Sequence, residues 1–540
     1  MTSMVRREAL KWMAAGASLS LLGGCASGRP MGAHAGSLEL IYYADTLDAR
    51  LPGLPVVPRT RLGAASRIGQ APWLTGPSAR AMFAQPSTFA ALLDADVPPV
   101  ETGGYAVLGA VIEGLRSQAG AERCLVLENG QCWNGSGLAM LTQGACGLQG
   151  STLLGADVRV SSDERVLWPE QASGLYRQWG RPVLGAGLNV PGVQPMARFQ
   201  RAGVKIVVVG VTDPYAVDHS GTLAQWFDSL QPVLDEARRE ADLLILLADV
   251  GSGPARWLAE RLPQVDIVLA ARGQDLWPQA IEVAQPSGRK VPLLLAGSRA
   301  CGAFHLHAER AGSAWHFQAR FHPAYASQLD AQGQQLQARL AQTLQEQRRA
   351  HADWLDQPLA KAPEALWRRD VRGGSWDRLI YQALAEGYDG AVLLPGLRYD
   401  VPLRRGQTIT REHLISLSGS HPAAVREVAA QALPQVLENA AEQLFGDPVI
   451  LDNSQDLPRL FGQRWQVDYS PIGKRVQAAE LPPRLRTFTL GRQNAGQALW
   501  QWLEAYLRER PSDWQLPNVQ LPALRYVQGH PGWHPAREQV

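Results

Sequence analysis

Five short stretches carry the side chains that could do chemistry: "DTLD" at 45–48, "NGQCWNGSG" at 129–137, "SSDER" at 161–165, "ADVG" at 248–251 and "ARGQD" at 271–275. Asp45 or Asp48, Asp163, Glu164 and Asp249 offer carboxylate oxygens, the ligand type that hard ions such as Mg²⁺ or Ca²⁺ accept. Arg272 offers the opposite, a permanent cation whose fork of donors suits carboxylates such as Asp249, Asp48 or Asp45; a polar loop residue pointing to solvent is the plain alternative. Cys132 is a candidate nucleophile, and Arg272 would lower its pKa if the loops converge. A small buried hydrophobe is the commoner role for a lone cysteine after a strand. The chain has 11 histidines, and none falls in the five stretches.

Four of these stretches follow apolar, β-branched runs: "LELIYYA" at 38–44, "CLVLENG" at 124–130, "DLLILLAD" at 242–249 and "VDIVLAA" at 265–271. With "VKIVVVGV" at 204–211 and "VPLLLAG" at 291–297, these predict buried strands. The segment "TLAQWFDSLQPVLDEARREA" keeps its apolar residues at helical spacing, so the pattern is α/β. In open α/β sheets, functional groups gather in the loops beyond the carboxyl ends of the strands, where these stretches lie. Residues 329–355 carry Leu329, Leu336, Leu340, Leu344 and Leu355 amid Gln and Arg, which predicts a connecting helix with one apolar stripe. The stretch "LWRRDVRGGSWDRLIYQALAEGYDGAVLLPG" then opens a second α/β region with a helix and a strand.

At 540 residues the chain is long enough for two domains. Lys plus Arg total 52 against 50 for Asp plus Glu, with no long run of either sign, which argues against a nucleic-acid partner. Residues 1–25 have a basic start, a short apolar run and small residues before Cys25, the pattern of an export signal. Arg6 and Arg7 followed by "EALK" resemble a Tat signal, and "LGGC" resembles a lipobox that would leave Cys25 lipidated. Ala26 is not a retention Asp, so the expected place is the periplasm, lipid-anchored at the outer membrane, with membrane contact through the anchor only. Cys124, Cys132, Cys146 and Cys301 match no zinc spacing, and their spacing leaves disulfide pairing undecided.

Several longer blocks carry a resemblance: "APWLTG" at 71–76, "GGYAVLGAVIEGLR" at 103–116, "CWNGSG" at 132–137, "GADV" at 155–158 and "DPY" at 213–215 in the first part. In the second part they are "LWRRDVRGGSWDRLI" at 366–380, "PGLRYD" at 395–400, "GQTITREHLI" at 406–415 and "GHPG" at 529–532. Together these resemble the 5′-nucleotidase branch of the calcineurin-like metallophosphoesterases, and most closely its SoxB-like thiosulfohydrolases of bacterial sulfur oxidation. The resemblance implies a β-sandwich flanked by helices, followed by a smaller 5′-nucleotidase C-terminal α/β domain. The implied boundaries are a signal at 1–25, a metallophosphoesterase-like domain at 26–325, a connecting helix at 326–362, a C-terminal domain at 363–525 and a tail at 526–540.

The resemblance also implies a two-metal centre that activates water or polarises an ester. Carried onto this chain, its Asp-x-His falls on Thr46 and Asp48 in one register and on Asp45 and Leu47 in the other, without the His in either. Its bridging Asp falls on Gln131, with Cys132 beside it, and its next Asn or His falls on Ser162, near a retained Glu164. Its last three histidines fall on Asp249, Arg272 and Gln274. A neutral amide and a hydroxyl are weak ligands. An arginine and a divalent ion about 4 Å apart repel by several kcal/mol even at an effective dielectric of about 20. Arg398 and Arg459 match positions that carry Arg in the family, and with Trp133 they are the candidate anion or partner cleft. "GDPVILDNSQD" at 446–456 departs from the family pattern.

Two function classes follow. The favoured one is a non-catalytic, SoxB-like exported lipoprotein that uses no cofactor and binds a protein partner or an anionic ligand. The resemblance implies a sulfur-carrier protein or an active homologue as that partner. The alternative is a divergent metallohydrolase holding one divalent cation on Asp45, Asp48, Asp163, Glu164 and Asp249.

Overall fold

The computed structural model describes residues 37–54, 56, 71, 101–214, 216, 221–368, 373–394, 399–419, 422–446, 457–468, 473–478, 481–490 and 496–525. Cys25 and its export stretch, most of "APWLTG", Arg398, nearly all of 446–456 and "GHPG" lie outside them.

The strands of the first part are β1 (Ser37–Ala44), β2 (Cys124–Asn129), β3 (Val158–Val160), β4 (Val183–Leu184), β5 (Val193–Gln194), β6 (Met196–Arg201) and β7 (Val204–Thr212). They continue with β8 (Leu243–Asp249), β9 (Ile267–Ala270), β10 (Leu276–Ala284), β11 (Lys290–Ala296), β12 (Gly302–Ala311) and β13 (Ala314–Pro323). Among the described residues these form two sheets, ordered β13-β12-β1-β2-β3-β4-β5 and β10-β11-β9-β8-β7-β6. Leu40, Leu127, Leu247, Leu269 and Phe304 fill the space between the sheets. The outer faces bury Ile41, Tyr43 and Val126 under the helix Tyr105–Ala119, and Val207, Leu244 and Val268 among residues of the helices Leu223–Glu240 and Ser252–Arg261. Both faces are covered, and for that reason β8 reads as an apolar run up to Asp249 and β1 as one from Leu40 on, rather than alternating. The helix Leu223–Glu240 starts on a capping box in which Thr222 and Gln225 each satisfy the other's backbone amide.

Parallel pairing sets Ala44 beside Asn129, Thr212 beside Asp249, and Ala248 beside Ala270. The loops that follow β1, β2, β7, β8 and β9 therefore leave along one edge of the sandwich.

The helix Ala331–Arg348 is not a free-standing connector. It packs on the helix Tyr105–Ala119, with Leu340 pressed against Gly109, and buries only Leu344 and Arg348. The second part has a mixed sheet in the order Ala423–Val428, Leu485–Leu490, Ala391–Leu394 and Arg459–Phe461. The helices Ser375–Ala385 and Leu499–Arg508 cover it around Trp376, Leu379, Val392 and Leu503. The whole is a helix-flanked β-sandwich followed by a smaller α/β domain.

Candidate functional site

The strand-end loops are tightly bent. Asp45, Gln131, Arg272 and Gln274 all have left-handed backbones, with φ of 48°, 52°, 74° and 54°. For residues with a Cβ, each such turn costs on the order of 1 kcal/mol, and such turns persist where surrounding structure forces them. Gly130 shows how close the loops come: a Cβ there would overlap the Asp249 carboxylate.

At the centre lies Arg272. Its Nη1 is 2.8 Å from Asp163 Oδ1 and 3.5 Å from Asp249 Oδ2, and its Nε is 2.9 Å from Asp213 Oδ2. The arginine is 9% exposed and Asp249 is fully buried, so this is an internal charge cluster and not a solvent-facing loop side chain. Burial alone would favour losing the proton, but Asp163, Asp249 and Asp213 outweigh it and hold the guanidinium charged. The backbone of the same loop caps Asp45: the amides of Arg272 and Gln274 each donate to one of its carboxylate oxygens, both at 2.8 Å.

A chain of neutral groups completes the floor. Ser162 Oγ donates to Asp249 Oδ2 at 2.6 Å and accepts from the Gln131 amide at 3.0 Å and from the Gln131 side chain. Asn134 Nδ2 donates to Gln131 Oε1 and to Tyr399 Oη, both at 3.0 Å, and Tyr399 Oη lies 3.3 Å from the same Gln131 oxygen. Tyr399 belongs to the second domain, so the two domains meet directly over this floor.

The structure brings together Asp45, Gln131, Ser162, Asp163, Asp249, Arg272 and Gln274. Of the others, Glu164 touches this group only through the Ser162 amide, which donates to its Oε1 at 3.0 Å, and the rest lie apart. Asp45, not Asp48, reaches the 271–275 loop; Asp48 instead meets Arg50 at 3.0 Å, Ser136 and Cys146. Thr46 bonds Tyr105 at 2.7 Å. Glu164 is buried against Arg159 at 2.8 Å and Tyr176 at 2.9 Å, because Arg159 needs both Glu164 and Glu128 to be held charged in the interior. The five carboxylates of the oxygen-ligand alternative therefore do not converge.

Two further expectations are corrected. Trp133 is fully buried, stacked under the Arg159 guanidinium at 3.9 Å and bonded to Ser151, so it cannot anchor a partner. Arg459 is buried too: with Arg368 it flanks Asp377, each at 3.0 Å, which makes it part of the second domain's interior. Cys132 is buried, in line with the commoner role of a lone cysteine after a strand, and loss of solvent pushes its thiol well above the ordinary range, away from the alternative of an activated nucleophile. The four described cysteines are all free thiols.

Asp213, Asn134 and Tyr399 were missed. Asp213 follows the carboxyl end of β7, and the strand-end rule applied to "DPY" would have found it. Nothing in the local sequence of Tyr399 marks an interdomain contact.

A two-metal centre does not fit these residues. The guanidinium stands among the carboxylates where a cation would have to sit, and the Gln131 amide and Ser162 hydroxyl are bonded to each other instead of turned to a shared point. Among the described residues, no three His, Cys, Asp or Glu side chains are grouped to hold a metal ion.

No protein-family model and no curated protein matches the chain. Solved structures do. The SoxB sulfate thiohydrolase of Thermus thermophilus, in complex with glycerol, aligns over 91% of this chain and 99% of its own, with TM-score 0.76 and 23% identity. A 5′-nucleotidase precursor from the same organism aligns over 88% and 96%, with TM-score 0.64 and 17% identity. A putative 5′-nucleotidase from Staphylococcus aureus, in complex with alpha-ketoglutarate, aligns over 91% and 99%, with TM-score 0.53 and 14% identity. At these identities the likeness is one of fold: nearly the whole chain has the two-domain architecture of SoxB and the 5′-nucleotidases.

Proposed function

We propose that this chain, built on the fold of SoxB and the 5′-nucleotidases, is a non-catalytic binding protein in which an arginine does the electrostatic work of metal ions. One observation carries the reading: the buried Arg272 lies among Asp163, Asp213 and Asp249, its Nη1 2.8 Å from Asp163 and 3.5 Å from Asp249. A guanidinium neutralises carboxylates and fixes their positions, but it has no open coordination site and cannot lower the pKa of a bound water as a metal does. The scaffold keeps its shape while hydrolysis loses its electrophile.

The role that remains is recognition. The ligand would be a protein partner or an anion, with a sulfur-carrier protein or an active homologue as the partner that the resemblance suggests and sulfur oxidation as the setting. Export through Arg6 and Arg7 and anchoring at Cys25 would place it at the periplasmic face of the outer membrane. Of the three cleft residues expected from the sequence, Trp133 and Arg459 are buried, and Arg398 lies outside the described residues. The divergent-hydrolase alternative requires Arg272 to leave its three carboxylates.

Assays for 5′-nucleotidase, phosphodiesterase and thiosulfohydrolase activity with added Mn²⁺ test the reading, alongside calorimetry against the organism's carrier protein with and without EDTA. Background turnover and chelator-insensitive binding support it. Mn²⁺-dependent turnover abolished by Asp249→Ala overturns it.

A further inference from the structure

Beside the acidic centre, where the two domains meet, lies a second opening of about 300 Å³. Asp48, Arg50, Arg299, Arg348, Glu412 and His413 line it. Two of its arginines are matched: Arg50 by Asp48 at 3.0 Å, and Arg348 by both oxygens of Asp356 at 2.6 and 2.7 Å. Arg299 is not. Its Nη1 is buried without a hydrogen-bond partner, and burial disfavours its charge although Glu412 and Asp400 are near enough to support it. Glu412 is half satisfied: one oxygen accepts from the Gly137 amide and Ser416 Oγ, both at 3.0 Å, while Oε2 is buried without a partner.

Both groups are held in place by the fold. Arg299 has a left-handed backbone with φ of 54°, and its amide donates to the Asp45 carbonyl at 2.8 Å. Gly103 lets this loop approach, since a Cβ there would lie 2.6 Å from the Arg299 carbonyl. Gly137 does the same for Glu412, whose free oxygen would be 2.7 Å from a Cβ at that position. A buried donor and a buried carboxyl oxygen without partners both cost free energy, which a ligand supplying the missing bonds would recover. With the Asp48–Arg50 and Arg348–Asp356 pairs neutral, and His413 kept uncharged by burial, Arg299 and Glu412 are the groups left to match, and a ligand with a carboxylate for the first and a hydroxyl for the second suits both.

We propose that this interdomain cavity binds a small hydroxycarboxylate monoanion, with the carboxylate on Arg299 and a hydroxyl on Glu412. At roughly 30 Å³ per water-sized group, the space holds about ten non-hydrogen atoms. The site uses none of Gln131, Ser162, Asp249 or Arg272, so it goes beyond the reading above and stands whichever way that reading is decided.

The test is calorimetry of the full-length, detergent-solubilised protein with glycerate, compared with propionate, which lacks the hydroxyls, and propane-1,2-diol, which lacks the carboxylate. Glycerate is expected to bind saturably, and loss of one charge-assisted hydrogen bond should weaken propionate, the diol and glycerate to Arg299→Gln by roughly tenfold or more. No binding by any probe, equal binding by all three, or unchanged glycerate binding to Arg299→Gln overturns the proposal. If Arg299→Gln does not unfold cooperatively, Glu412→Met decides: preference for glycerate over propionate should vanish, and its persistence overturns the assignment.

Discussion

Replacing Arg272 by Met keeps most of the side-chain volume and removes only the charge and its donors. Three carboxylates then lose an ion pair, at 2.8, 2.9 and 3.5 Å. Asp163, with a side chain 19% exposed, can turn to solvent, whereas Asp249 is fully buried and cannot. Breaking a buried ion pair from one side costs about 3–5 kcal/mol, so the first domain should lose about that much. The variant should also gain affinity for a hard divalent cation among Asp45, Asp163, Asp213 and Asp249. At a Ca²⁺ concentration of about one hundred times Kd, binding to the folded state would return about 2.7 kcal/mol. Urea unfolding of the first domain, followed by tryptophan fluorescence with and without Ca²⁺, reads both effects. A variant within about 1 kcal/mol of wild type would refute the reasoning, because a residue so weakly coupled is not the centre of a buried charge cluster. So would a large loss that Ca²⁺ and Asp249→Asn both leave untouched.

Burial would raise the Asp377 carboxyl, but Arg368 and Arg459 outweigh it and hold it below its ordinary range. This stability is present above the unfolded value of 3.8 and is lost as pH falls through the lower folded value, so Asp377→Asn should cost about 3–5 kcal/mol near neutrality and flatten the acid limb of the second domain's unfolding curve. Burial lowers His413 from 6.5 to about 4, which means the unfolded chain takes up a proton first; stability should fall by about 3 kcal/mol as pH drops through that window, and His413→Gln, which can keep the cap on the Thr410 amide, should remove that slope. Burial pushes Cys124 up to about 11 and Cys301 up to about 12, and it raises Cys132 and Cys146 well above the ordinary range, so an aromatic disulfide reagent should find none of the four in the native protein and all of them after denaturation. Palmitate labelling sensitive to globomycin should disappear in Cys25→Ala; a variant that still labels removes the lipoprotein reading.

The sheet was legible because its strands are buried on both faces, and "LELIYYA", "DLLILLAD" and "VDIVLAA" can be little else. The loops were legible by rule, since parallel strands deliver their carboxyl ends to one edge. The register of "DTLD" was not legible, because two aspartates three residues apart satisfy the same pattern, and only the amides of Arg272 and Gln274 pick out Asp45. Asp213 was within reach of the strand-end rule, since it follows the carboxyl end of β7, which pairs with β8. The misjudged arginine and tryptophan share one cause. Arg459 and Trp133 are types that anchor interfaces, but buried partners such as Asp377 and Arg159 are distant in sequence and leave no local mark. The interdomain cavity was invisible for the same reason, since Arg299 and Glu412 belong to different domains.

If Arg272 stands where a metal would otherwise carry the charge, the purified wild-type protein should hold almost no divalent metal. Inductively coupled plasma mass spectrometry, after growth and purification in buffers replete with Mn²⁺, Zn²⁺ and Ca²⁺, should find far less than one ion per chain. One or two equivalents of a divalent metal per chain, lost in Asp249→Ala, would contradict it.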